Sequence, residues 1–334
     1  MTFNEWGQLK KAVVGVADGA KIPPLTKDVR TVNYADKSDV SDVITGKYPQ
    51  KVIDEANEDL EVLADFLQSE SVEVVRPLTT ENVEYYNFCP RDTVFTYGNR
   101  QLATPITLEC RAEEWLHMLP VIPSIEIYTQ GYYDDEMYNE DCVGNPDILA
   151  LNEIAPMFDA ANIIKANDHL LYLVSNTGNK AGAKILQEWL QNENITVHLL
   201  QGVYSYIHID STVAFLREGL LLYNPARIQS KDVLPEPFCN WDAIACPEPV
   251  DIGYHEPYCN ASKWINMNLL SVNENLVCLE ENQIPLAKEL EKFGIDSKLL
   301  PMRHQRTLGG GFHCVTYYIL TRQVRKSGPL FMII

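Results

Sequence analysis

One pattern constrains this chain more than any other: two short strands, a helix and a third strand, recurring along its length. Residues 162–175, NIIKANDHLLYLVS, carry apolar runs on both sides of Asn167-Asp168 and are expected to form a hairpin turning there. A helix is expected over about 179–191, NKAGAKILQEWLQ, and then the strand ITVHLLQ. The same order returns over 266–301. There NMNLLSVNENLVCLEEN reads as a hairpin turning at Asn273-Glu274, IPLAKELEKFG as a helix stopped by Gly294, and KLLPM as a strand. Looser copies are KAVVGV with the helix 51–68 and strand VEVVRP, TVFTYGNRQLAT with a helix near 108–118, and VAFLREGLLLYN, turning over Arg217-Glu218-Gly219. Repetition of this kind, over roughly five units, points to a propeller-like array or another multiply repeated α/β fold around a central axis. A doubly wound sheet would alternate single strands with helices, and the hairpins argue against it. No linker rich in Pro, Gly or Ser divides the chain, so one domain over 1–334 is expected. The segment 119–157, which includes YYDDEMYNED, is the least patterned and is expected to be a surface loop or lid.

Composition removes several classes of function. A formal charge of −19 with no basic stripe excludes a nucleic-acid partner and is compatible with a cationic substrate. No apolar run reaches membrane-spanning length, and MTFNEWGQLKKAVVGV places charges among its apolar positions, unlike a signal sequence. The eight cysteines lie far apart with no C-x-x-C pair, so free thiols in a reducing, cytoplasmic compartment are expected.

Five residues stand out chemically. Cys314 follows three glycines in TLGGGFHC, where it reads either as a reactive thiol or as a buried one entering a strand. If HCVTYYIL alternates as a strand, His313 faces away from Cys314 and is set aside as its base. His208 and Asp210 in YIHIDST, two apart in an expected strand, would share one face and could address one ligand. Asp92 in FCPRDTVF and Asp159 in MFDAANII each precede an apolar strand, where they either cap a turn or contribute to a site. A cysteine, a histidine and three carboxylates suit a planar cation: carboxylates fork onto guanidinium N–H groups, and a thiolate attacks the central carbon.

NEWGQLKKAVVG, CPRDTVFTYGN, FDAANII, HIDST, YNPAR, SKWINMNLL and TLGGGFHC occur in the order seen in the amidinotransferases of the guanidine-modifying (pentein) superfamily, which the chain resembles from residue 4 to about 322. DAAN and HQRTLGGGFHC make it more similar to the inosamine-phosphate amidinotransferases than to the glycine amidinotransferases. The resemblance implies a five-bladed α/β propeller (pentein) with pseudo-fivefold symmetry. It implies ping-pong transfer of an amidino group from L-arginine to an amine, with release of L-ornithine and no metal or organic cofactor. The acceptor would be an amino-cyclitol phosphate or an amino acid such as lysine or glycine, and the assembly a homodimer. Carried over by position, Cys314 matches the nucleophile, His208 the general acid/base and Asp159 its paired carboxylate. Asp92 and Asp210 match the residues that grip the guanidinium, Arg227 and Ser262 those that hold the donor carboxylate, and Arg111 a further site arginine. In LECR, Glu109 stands where relatives carry a second arginine, which alters the local charge.

Two other functions compete. An arginine deiminase-type hydrolase would use the same residues with water as second nucleophile, and a catalytically silent pentein would only bind. The residues around Cys314 and Asp159 favour transfer over hydrolysis, and the presence of every expected catalytic residue disfavours a silent protein.

Overall fold

Each expected hairpin forms, and each acquires a third strand on the same side. The computed structural model describes residues 1–37, 39–79, 84–122, 124–128, 133–204 and 206–322. Its strands make five three-stranded sheets. In every sheet the first two strands are antiparallel and the third runs parallel to the second. Blades two to five begin at Val94–Tyr97, Ile163–Ala166, Val213–Arg217 and Leu270–Asn273. The first blade is assembled from both ends of the chain: Thr316–Arg322 pairs antiparallel with Gln8–Val14, which pairs parallel with Glu73–Val75. That pairing closes the ring and leaves no blade with an open neighbour.

Packing follows the same fivefold logic. Five apolar clusters fill the gaps between consecutive blades. Val13, Val94 and Tyr317 join blades one and two, and Phe95, Ile163 and Tyr172 join two and three. Leu171, Val213 and Phe215 join three and four, Leu222, Met267 and Val277 join four and five, and Leu9, Leu270 and Cys278 join five and one. Each blade thus buries both faces, which a lone three-stranded sheet cannot do. The chain is a five-bladed α/β propeller.

Helices Gln50–Ser69, Lys180–Trp189 and Ile284–Glu291 flank blades one, three and five as expected, with Asn179 capping the second through Gly182 N and Gly294 at φ +71° ending the third. The helix expected near 108–118 is instead two 3₁₀ turns, Glu109–Arg111 and Glu114–Met118. Three residues per turn set Arg111 and Glu114 one above the other, and the guanidinium closes onto that carboxylate. The hairpin expected to turn at Asn273-Glu274 turns one residue later, because a bulge between Ser271 and Asn273 shifts the register.

Two expected strands are corrected in their most informative parts. YIHIDST is not a strand: His208 caps the 3₁₀ turn Ile209–Ser211, and the strand starts at Val213. In HCVTYYIL the strand starts only at Thr316. Val315 N donates to Gly311 O and Thr316 N to His313 O, which folds the preceding residues into successive turns. Strand alternation therefore says nothing about where His208, Asp210, His313 and Cys314 point. In the 119–157 segment, residues 123 and 129–132 lie outside the described residues. Beyond them, Tyr133 and Tyr138 donate to the carbonyls of Ile106 and Thr107 and tie the segment to blade two.

Candidate active site

The site grows from one repeated device, a tight turn at the axis just before the first strand of each blade. Pro90–Asp92 touches Ala160–Asn162, which touches Ile209–Ser211, which touches Lys263–Met267, and Thr316–Arg322 returns to Pro90–Asp92. Short turns leave few backbone groups to satisfy and aim their side chains inward, so the axis collects polar groups that the surrounding apolar clusters could not hold. Asp92, Asn268 and Cys314 occupy the same place in their blades, two residues before the first strand.

Asp159 accepts from Thr107 N at 2.9 Å and Thr107 Oγ1 at 2.8 Å with one oxygen, and holds His208 Nε2 at 3.0 Å with the other. The opposite ring nitrogen, Nδ1, lies 3.8 Å from Asp92 Oδ1, a buried oxygen with no hydrogen-bond partner. Asp92, His208 and Cys314 bring a carboxylate oxygen, a ring nitrogen and the sulfur within 4.8 Å of one another. These atoms could also hold a divalent cation, which would occupy the place a substrate carbon needs next to the thiol. Asp210 Oδ2 is 3.4 Å from Cys314 Sγ.

Sequence reasoning missed a residue that hydrogen-bonds the sulfur. Asn268 Nδ2 donates to Cys314 Sγ at 3.1 Å, and its Oδ1 accepts from the backbone N–H groups of His313 and Cys314 at 2.9 and 3.1 Å. Those two donors fix the amide orientation, so the N–H must face the sulfur. Cys89, Glu5 and Glu114 were missed too. His313, set aside from the sequence, contacts Asp210 Oδ2 at 3.1 Å and so shares with Cys314 one carboxylate oxygen.

The charges are strongly coupled. Contact with the Cys89 thiol, burial and the Asp210 charge push the Cys314 thiol well above its usual range, and the His208 hydrogen bond opposes them without prevailing. Burial works against a charged His208, but Asp92, the Asp159 hydrogen bond and Cys314 outweigh it and hold its ionisation well above that of ordinary imidazole. The resting pair is therefore thiol and imidazolium. Alkylation of Cys314 in the free protein should be slow at neutral pH and rise steeply with pH, because the raised thiol yields thiolate only under alkaline conditions. Iodoacetamide labelling followed by intact mass checks this. A rate that is fast and flat from pH 6 to 9 contradicts it.

Arg111 forks between Asp92 Oδ2 at 2.9 Å and Glu114 Oε2 at 2.8 Å, over the rings of Tyr85 and Tyr86. Its guanidinium thus positions Asp92, while burial raises Glu114 to about 7 despite Arg111. Glu109 is exposed, and its N–H donates to Asp28. Arg227 donates to Ser211 O, Ser211 Oγ and Thr212 Oγ1 and stacks 3.7 Å over Tyr204, with no carboxylate in ion-pairing reach among the described residues. It borders a cavity of about 870 Å³, and Tyr206 lines both that cavity and a smaller one beside Arg111, Asp159 and His208. Ser262 is exposed, its hydroxyl accepts from Trp264 N, and among the described residues it makes no hydrogen bond to the cluster.

Of the three glycines ahead of Cys314, two make room for other parts of the protein. A Cβ on Gly310 would collide with Cys89 Sγ and press Cys314 Cβ at 3.3 Å; one on Gly311 would meet Asn268 Cβ at 2.8 Å. Gly309, at φ +83°, borders the cavity beside His208 and Asp159. Gly310→Ala should destabilise the fold by about 1–3 kcal/mol, measured by urea unfolding, because neither cysteine can retreat in this packed core. An unchanged midpoint would contradict that.

A thiol, an imidazole and carboxylates meeting at the axis of a five-bladed α/β propeller is the architecture of the guanidine-modifying penteins. No family model matches the chain. It is 38% identical to inosamine-phosphate amidinotransferase 1 of Streptomyces glaucescens, over 98% of this chain and 97% of that protein. It is 30% identical to the L-arginine:L-lysine amidinotransferase of Pseudomonas savastanoi pv. phaseolicola, over 98% of this chain and 95% of that one. The solved inosamine-phosphate amidinotransferase of Streptomyces griseus superposes with a TM-score of 0.91 at 34% identity, covering 97% of each chain. The chain belongs to the amidinotransferase family. It is an amidino-group transferase, and the name of the Pseudomonas relative gives L-arginine and L-lysine as that enzyme's substrates.

Proposed function

We propose that this protein transfers the amidino group of L-arginine to an amine in two half-reactions, through an amidino-cysteine at Cys314. The observation that carries this reading is the Cys314 sulfur, met by Asn268 Nδ2 at 3.1 Å and by His208 and Asp92 within 4.8 Å. The unpartnered oxygen Asp92 Oδ1 and the Asp210 carboxylate would accept guanidinium N–H groups, and the unpaired Arg227 would take the donor's carboxylate. Bringing a guanidinium between two carboxylates adds the positive charge that the raised thiol lacks, so substrate binding favours the thiolate, and because His208 is already protonated the thiol proton is released to solvent as the guanidinium binds.

Sγ then bonds to the guanidinium carbon, giving a tetrahedral adduct. His208, already protonated, gives its proton to the ornithine nitrogen; that C–N bond breaks and the cationic amidino-cysteine remains. An acceptor amine attacks the same carbon and its proton goes to His208. The C–S bond breaks, the sulfur leaves as thiolate and the guanidino product departs. The similarity to inosamine-phosphate amidinotransferases supports an amino-cyclitol phosphate as acceptor, and the similarity to the lysine enzyme supports an amino acid.

Incubation with labelled arginine should deposit one amidino group on Cys314, seen by intact mass, and release one equivalent of ornithine. An amine panel holding an amino-cyclitol phosphate, lysine and glycine should then identify what discharges it. Citrulline formation without amine, as fast as any transfer, would establish hydrolysis instead.

A further inference from the structure

Behind Asp210, away from the cavity, lies a buried chain of charges drawn from four parts of the ring. His313 Nδ1 meets Asp210 Oδ2 at 3.1 Å, and its Nε2 meets Glu5 Oε2 at 3.2 Å. Glu5 Oε1 accepts from Lys165 N and pairs with Lys165 Nζ, both at 2.9 Å, and lies 3.9 Å from Arg91. Arg91 in turn donates to the carbonyls of Ala160 and Ile163. All five side chains are buried, none of them more than 6% exposed. Both nitrogens of His313 thus face carboxylate oxygens, so the ring bridges Asp210 and Glu5.

Four groups surround Asp210: His313, Cys314, His208 and Arg91, with Tyr204, Arg227 and Tyr318 farther out. His313 faces Asp210, Glu5 and the edge of the Tyr318 ring at 5.8 Å. The oxygen that His313 holds is the one 3.4 Å from the sulfur, where a free carboxylate charge would oppose a thiolate. We propose that His313 is a positioning residue for the transfer: clamped from behind by Glu5, it holds one Asp210 oxygen beside the sulfur and leaves the other to a substrate guanidinium. The proposal rests on the cysteine-based reading above. It also gives the N-terminal segment a chemical task, because Glu5 reaches the axis only when Gln8–Val14 closes the ring. Burial raises the Asp210 carboxyl, but the His313 hydrogen bond and charge, then His208 and Arg91, bring it down to about 2. For Glu5, Lys165, His313 and Arg91 likewise overcome burial.

The test separates the two ring nitrogens. The amide of His313→Asn can occupy the Nδ1 place and still donate to Asp210, whereas that of His313→Gln reaches the Nε2 place and serves only Glu5. Amidino-adduct formation from arginine, followed by intact mass across pH 4–9, should stay within about tenfold of wild type for the Asn variant and fall about 100-fold for the Gln variant. The Gln variant should also show an acid limb within pH 4–9 that wild type lacks, because burial, no longer opposed by His313, raises the Asp210 carboxyl. Equal losses in both variants, in proportion to their loss of thermal stability, would overturn the proposal. If wild type forms no adduct, the cysteine reading has failed instead. If neither variant folds, ¹⁵N spectra of the wild-type ring decide: a proton on Nδ1, facing Asp210, supports the proposal, and a bare Nδ1 overturns it.

Discussion

Cys314→Ala should bind arginine, accumulate no amidino adduct and release no ornithine, with turnover lowered by roughly 10⁴-fold or more, as for other enzymes stripped of their nucleophile. The geometry leaves no substitute. Cys89 is the other thiol at the site, but burial raises it, and its side-chain partners are Cys314 and Tyr86, whereas Cys314 also meets His208 and Asp210. Stability should move little by comparison. The wild-type sulfur rests as a thiol between Asn268 Nδ2 and Asp210 Oδ2, so its removal costs those two contacts and leaves a small void, about 1–2 kcal/mol. The protein should stay folded, with a modestly lowered melting temperature, while activity disappears. Turnover within a few fold of wild type, by ornithine release, would remove Cys314 from the chemistry.

How far the sequence discloses this site depends on what kind of signal each residue leaves. Asp92, Asp159, His208, Asp210 and Cys314 are legible because each is a reactive or charged group set directly before an apolar run, where solvation alone does not explain it. The hairpin repeat is legible for a similar reason: turn residues such as Asn167 and Gly219, at φ +56° and +83°, interrupt apolar strands at regular places. What alternation predicts for side-chain direction fails at His208 and His313, because both lie in turns whose geometry depends on distant partners such as Asn224, which donates to Ser211 O. Asn268 leaves only a positional signal, equivalence with Asp92 and Cys314 across blades, and that appears once the strand starts are known. Glu5 leaves none. An acid four residues from the N-terminus resembles any solvated end, and its burial follows from ring closure with Thr316–Arg322, at the far end of the chain.

The second large effect is expected at Asp159. In Asp159→Asn the side-chain oxygen still accepts from Thr107 N and Oγ1, so the new amide N–H must face His208 Nε2. A donor there strips Nε2 of its proton and leaves His208 neutral with Nδ1–H turned toward Asp92 and the thiol. The imidazolium that protonates ornithine is lost, and ornithine release should fall roughly 10³–10⁴-fold, the scale seen when a catalytic histidine is held in the wrong tautomer. The pH dependence follows from sign. His208 works protonated, and Asp92 and Asp159 hold its ionisation well above the ordinary imidazole range, so wild-type activity is lost only when pH rises through that raised value. Without the Asp159 charge the residual activity should be lost at lower pH. The stability that His208 draws from the pair, present below its unfolded ionisation and lost as pH rises through the folded one, should shrink in the same window. Single-turnover ornithine release from pH 5 to 9 measures the first effect and urea unfolding across that range the second. An Asn variant that keeps the wild-type alkaline limb would mean that Asp92 and Cys314 alone govern His208.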